Sequence, residues 1–209
     1  MSQRARTKGR CFGAAASLMC AAVALAQGLV FPEDPKSSFT PQGVASIFQQ
    51  ACLRNAAQAE AAVDWALTQG FEPLDALGGA GYELLEGQAG NVLTAPGGEN
   101  RVLLVVTHDQ RCTVWAHRVS GPQLRLAMAE AMDRLGTGGA RVTRDFERNI
   151  ERAGAWRNQT QWRYRAQRGS AEFGVSAVTT LGITPATQAL NMAPWQAPAG
   201  PAPDGSPAR

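Results

Sequence analysis

From residue 40 the apolar positions fall into a helical rhythm: Val44, Ile47, Phe48, Ala51 and Cys52 recur at i, i+3, i+4, i+7 and i+8. Thr40-Pro41 just ahead is a helix start, with threonine as N-cap and proline at the first helical position. The stripe predicts an amphipathic helix with Cys52 on its buried side. A second helix is predicted behind Asn55 as its cap, with Ala59, Ala62, Val63, Ala66 and Leu67 inward. Gly70 can end it in a left-handed conformation. The glycine-rich stretch 74–90 then loses all period and reads as a flexible connection. Its Gly78-Gly79-Ala80-Gly81 lacks the preceding strand and the following Gly-Lys-Ser/Thr of a phosphate-binding loop.

Strand patterns begin near Val92. Residues 101–107, RVLLVVT, form a continuous apolar run, which suits a strand covered on both faces. His108-Asp109-Gln110-Arg111 has turn character, and 112–119 alternates. Cys112, Val114 and Ala116 face one way; Thr113, Trp115 and His117 face the other. Segment 101–119 is therefore a predicted hairpin. Ser120 and Gln123 resemble a capping box for a helix with Leu124, Ala127, Met128, Ala131, Met132 and Leu135 inward, Glu130 and Arg134 paired outward, and Gly136-Thr137-Gly138-Gly139 at its stop. Val142, Phe146 and Ile150 fit one face of a helix or a strand, and the β-patterned segments that follow favour strand. Those segments carry Thr160, Trp162, Tyr164 and Ala166, then Phe173, Val175, Ala177, Thr179 and Leu181, in alternation. The order α-α-β-β-β-α-β-β-β lacks regular βαβ units. It predicts an α+β domain with a mainly antiparallel sheet over residues 40–190. No internal sequence repeat is visible.

The ends differ in composition. Residues 1–10 hold Arg4, Arg6, Lys8 and Arg10 without an acid, and 11–26 are uncharged, ending in Ala24-Leu25-Ala26. This is the pattern of a cleaved export signal, with cleavage after Ala26. The apolar run is shorter than the roughly 20 residues a membrane span needs. Residues 27–39 read as an N-terminal arm, and 191–209 as a disordered Ala/Pro-rich tail in which Trp195 is the one adhesive residue. Cleavage removes four of the 20 Lys and Arg, leaving 16 against 17 acids. That balance removes any global attraction to nucleic acid, and no membrane span is expected after cleavage. The destination is a periplasmic or secreted one.

Cys11 and Cys20 leave with the signal, so Cys52 and Cys112 remain for an oxidising compartment. One structural disulfide, Cys52–Cys112, is the simplest expectation. The alternative is a small hydrolase using Cys112 as nucleophile with His108 as base, which requires an unpaired thiolate. Two histidines and two cysteines do not make a four-ligand zinc site of standard spacing, and no motif implies a cofactor.

The one local anomaly is basic. Residues 140–169 hold eight arginines against three acids, and Arg157, Arg163, Arg165 and Arg168 form a candidate anion-binding surface beside Trp156, Trp162 and Tyr164. Arg163 and Arg165 are predicted to project from one strand face, with Trp162 and Tyr164 entering the core. The same row equally serves as a solvated face whose charges keep a sheet edge from pairing.

The segments FQQACL (48–53), RCTVWAHR (111–118) and TTLGITPATQALNMA (179–193), behind an export signal, resemble a family of small proteobacterial periplasmic proteins and lipoproteins of unknown function. The resemblance implies export and a Cys52/Cys112 pair, and carries no catalytic residue. The chain departs from the lipid-anchored members at Cys20, which follows Met19 and not a small residue. The function expected from sequence is thus a non-catalytic binding or accessory module. Its partner would be an envelope protein or an anionic envelope component.

Overall fold

The computed structural model describes residues 39–74, 80–97, 102–152, 154–184 and 186–196. The expected export signal, the arm to residue 38, part of the glycine-rich stretch and the tail from 197 lie outside the described residues.

Thr40 starts the first helix as predicted: its hydroxyl accepts a hydrogen bond from Gly43 N at 3.1 Å, and α1 runs Pro41–Phe48. The chain then widens into a π-helical turn, Gln49–Leu53, with Arg54 N donating to Gln49 O at 3.0 Å. The added residue in that turn shifts the side-chain phase, and Ala51, Cys52 and Leu53 are all buried. Ala56 and Ala57, with φ of 48° and 54°, reverse the chain into α2, Ala59–Thr68. Asn55 does not cap α2. Its Nδ2 donates back to Gln50 O and Ala51 O, both at 3.1 Å, so it closes the preceding turn instead. Leu67, expected inward, is 46% exposed; Ala62 and Ala66 carry the buried face. Gly70 ends the helix at φ 78°, the left-handed conformation expected of it.

Eight strands follow: β1 Glu72–Leu74, β2 Gly90–Thr94, β3 Val102–Thr107, β4 Cys112–Val119, β5 Arg141–Arg152, β6 Ala155–Arg165, β7 Phe173–Thr180 and β8 Ala186–Pro194. Helix α3 (Ala80–Leu85) lies between β1 and β2, and α4 (Gly121–Thr137) between β4 and β5. All described pairings are antiparallel, in the order β1-β2-β3-β4-β8-β7-β6-β5. Mixed helix and strand around one large antiparallel sheet agrees with the α+β expectation. The predicted element order does not hold in full, because β1, α3 and β8 are additional. Strand β1 is three residues long and carries Pro73, α3 sits in the glycine-rich stretch read as a connection, and β8 has only Thr187 as a β-branched residue. Strand β8 also runs past the expected domain edge at 190, with Met192 fully buried.

The strand order is two four-stranded meanders meeting at β4–β8, so the topology has an approximate two-fold that the sequence does not show. Each meander is preceded by a helix, and α1 packs against α4. One sheet face receives these helices. Val114, Ala116, Trp162, Tyr164, Val175, Leu190 and Met192 meet Phe48, Leu124, Met128 and Met132 in a single cluster. At about 1.5–3 kcal/mol for each large apolar side chain buried, this face is the main source of stability. Helix α3 packs on the opposite face, where Leu85 meets Val92, Val105 and half-buried Trp115. It explains why every residue of β3 is buried.

Two local features depart from expectation, the cap of α4 and the face of β5. The capping box does not form: Ser120 occupies the N-cap of α4 without a side-chain bond, and its buried Oγ has no partner. The start of α4 is fixed by close approach instead, because a Cβ on Gly121 would lie 2.3 Å from Thr180 O. The helix ends at Thr137 with Gly138 as its C-cap, inside the expected Gly136–Gly139 stop, and the chain turns at Gly139 with φ 95°. In β5 the register slips between Arg144 and Phe146. A one-residue bulge swaps the faces, so Val142 pairs with core-facing Tyr164, whereas Phe146 and Ile150 pair with Gln161 and Arg157 on the opposite face.

Candidate functional site

The disulfide joins the π-helical turn to the first residue of β4, with Cys52 and Cys112 Cα atoms 5.5 Å apart and both residues fully buried. Cys112 opens its strand on the helix-covered face, where the alternation of 112–119 puts it. A disulfide sulfur is no thiolate, so the hydrolase alternative lacks its nucleophile. His108 sits exposed in the hairpin turn, its N–H bonded to Ala89 O at 2.9 Å, and His117 Nδ1 lies 2.8 Å from Thr187 Oγ1. Among the described residues, no three His, Cys, Asp or Glu side chains are grouped to hold a metal ion.

The sheet face opposite the helices is where the remaining polar chemistry collects. Register builds its floor. Thr113 stands opposite Asn191, Asn191 opposite Ser176, and Ser176 opposite Gln161, across four consecutive strands. Thr113 Oγ1 donates to Asn191 Oδ1 at 3.2 Å. A second row beside it holds Trp115, Ala189, Val178 and Gln159. Two adjoining hollows of about 400 and about 270 Å³ cover these rows and share Arg111, Ser176 and Asn191. The larger falls in the size range of small-ligand sites. The floor carries no charge; the charged groups stand at the rim.

Most rim cations are already engaged. Arg111 Nε pairs with Asp109 Oδ2 at 2.9 Å, and Arg163 Nε with Asp145 Oδ1 at 2.8 Å. Asp145 is the residue inserted by the β5 bulge, so the slip supplies the counter-ion for Arg163. The Arg163 guanidinium also lies 5.5 Å from the ring centre of Trp195. Arg157 Nη1 donates to Thr187 O at 3.0 Å. Arg163 and Arg165 project from the face opposite Trp162 and Tyr164, as predicted; Arg157 lies on that face too, while Arg168 is exposed in the following turn. They do not converge on one point: Arg157 and Arg165 lie at opposite ends of β6.

No family model, curated protein or solved structure matches this chain.

Sequence reasoning placed Arg163, Trp115 and Thr113 on this face, and did not find Gln161, Ser176 and Asn191 as a row. The alternation of β6 and β7 contained the signal for the first two, but the pairing of β7 with an unpredicted β8 did not exist on paper. Trp195, assigned to the tail, is seated over Gly174, where an added Cβ would come 3.3 Å from its ring, and its backbone N–H donates to Glu172 O at 2.9 Å.

Proposed function

We propose that this chain is an exported, non-catalytic binding module that holds an envelope component on the open face of its sheet. The observation that carries the reading is the uncharged row Thr113–Asn191–Ser176–Gln161, aligned across four strands and left uncovered by any described helix. A face that only needed solubility would be served by scattered charges. Aligned carboxamides and hydroxyls under a hollow are suited to fixing a ligand's orientation. Export is supported by the N-terminal charge and apolar pattern, and by a buried disulfide of the kind that persists in oxidising compartments. No helix among the described residues is long and apolar enough to cross a membrane.

The resemblance to small proteobacterial envelope proteins agrees with this reading. The arginines at the rim extend it to anionic components: Arg165 and Arg168 stand beyond the Arg163–Asp145 pair and are free to meet a carboxylate or phosphate. The test is fractionation followed by co-sedimentation. The mature chain should begin at Gln27, show no free thiol when denatured without reductant, and sediment with isolated envelopes. Asn191→Ala with Gln161→Ala should release it while the folded spectrum is retained. Sedimentation unaffected by these substitutions removes the face as the binding surface.

A further inference from the structure

The hydrogen-bonding inventory of the floor narrows what can lie on it. Asn191, Gln161 and Gln159 each carry amide donors and an acceptor oxygen, and Ser176 does the same through one hydroxyl; Thr113, whose proton goes to Asn191 Oδ1, keeps its acceptor side, and Gln159 Oε1 also accepts from Arg148 Nη2 at 3.3 Å. An apolar ligand would strip water from these groups and return no bonds, at a cost of about 1–3 kcal/mol for each group left unpaired. A ligand whose negative charge lay on the floor would need free cations there, and the nearest ones, Arg111 and Arg163, are held by Asp109 and Asp145, so any acidic group of the ligand is left to Arg165 and Arg168 beyond the floor. A peptide that adds as a strand does so at a sheet edge through main-chain bonds, and this face offers side chains in the middle of the sheet instead. What remains is a chain of groups that both donate and accept, with C–H surface between them.

We propose, resting on the binding reading above, that the groove holds a saccharide strand laid across β4, β8, β7 and β6. The row repeats at the interstrand spacing of about 4.8 Å, close to the length of one pyranose ring with its linkage, so each strand can meet one sugar. The two hollows, about 400 and about 270 Å³, share Arg111, Ser176 and Asn191 in their lining and together give room for a short oligosaccharide. Trp115 lines the hollow nearer α3, and Trp195 the other. Half-buried indoles flanking the polar row on its two sides offer contact to the C–H faces of sugar rings while the row takes the hydroxyls. Carboxamides also pair with the amide of an N-acylated sugar, so neutral and N-acetylated strands share the recognising chemistry.

The experiment titrates the mature, oxidised protein with trimers of glucose and of N-acetylglucosamine, following tryptophan fluorescence and heat. Envelope sedimentation is run in parallel with the same trimers as competitors. At least one trimer is expected to bind tighter than about 1 mM and to release the protein from envelopes. The two trimers separate a neutral from an N-acetylated source. Gln161→Ala with Asn191→Ala should weaken binding tenfold or more. Ser176→Phe, which fills the groove without removing a protein hydrogen bond, should abolish it, and Arg134→Ala on the far side of α4 should leave it unchanged. No response to any trimer, with sedimentation still sensitive to Ser176→Phe, overturns the saccharide and leaves the binding face standing. Sedimentation indifferent to Ser176→Phe overturns both.

Discussion

Breaking the Cys52–Cys112 bond tests how much of this fold depends on tying the opening helix to the sheet. The cysteines are 60 residues apart in sequence. Chain-entropy bookkeeping for a closed loop of that length gives about 4 kcal/mol of stabilisation, exerted on the unfolded chain. The native side should change little on reduction, because both positions are fully buried among apolar neighbours and free cysteine behaves there as a small hydrophobe. Against a typical net stability of about 5–15 kcal/mol, such a loss is a large fraction of the total. The assay is urea unfolding followed by tryptophan fluorescence, on oxidised protein and on protein reduced while unfolded and refolded in reductant. Reduction should lower the unfolding free energy by about 4 kcal/mol. It should also raise the slope on urea slightly, as the freed chain expands. In a domain of this size the melting temperature should fall by about 8–16 °C, at roughly 2–4 °C per kcal/mol. A loss below about 1 kcal/mol would refute the loop-closure reasoning, since it would mean that the unfolded chain already holds the two segments together.

Two further substitutions probe the buried polar groups. Gln188 is 1% exposed, accepts from Thr180 N at 2.8 Å and donates to Val119 O at 2.8 Å, bridging the irregularity between β4 and β8. Gln188→Leu should therefore destabilise by about 2–4 kcal/mol despite its greater hydrophobicity, because a buried N–H and C=O lose their partner; a urea midpoint equal to the parent's would contradict this. Tyr164 donates to Leu53 O at 3.4 Å, and burial raises its phenol above the ordinary value of 10.0. The unfolded chain releases that proton first. Tyr164's contribution is therefore intact below pH 10 and declines above it, so urea midpoints should fall more steeply from pH 9 to 11 in the parent than in Tyr164→Phe. Parallel slopes would rule that out.

Legibility in the sequence followed how local each determinant is. Helix α1, the hairpin 102–119 and the inward set of α4 were readable because periodicity and caps act within a few residues. The disulfide was readable from cysteine arithmetic and from the phase of the two segments. Strand β8 was not, because its place in the middle of the sheet comes from partners on β4 and β7 and not from its own alanines and asparagine. The face of Phe146 was hidden for a related reason. A bulge is a property of two strands in register, and spacing within one of them cannot show it. The candidate site inherits both omissions: Asn191 comes from β8, and the counter-ion of Arg163 comes from the bulge.

The open face follows from an asymmetry between the two meanders. In the first, the passage from β1 to β2 carries α3, which covers its own half of the sheet through Leu85, Val92 and Val105. The equivalent passage in the second meander, from Arg152 to Ala155, is a tight hairpin with no room for a helix. Among the described residues, helices therefore cover one side of the sheet, and the other side only over its first half. Strands facing a covering helix can be apolar on both sides, as β3 is. Strands β6, β7 and β8 must be apolar on one side only, and their other side is free to hold Gln161, Ser176 and Asn191. The edge of α3 supplies one wall of the hollow through Leu84 and Leu85, and Trp195, folded back over Gly174, supplies the opposite wall. Had the second hairpin carried a helix of its own, the groove would be filled and its polar row would be a buried liability.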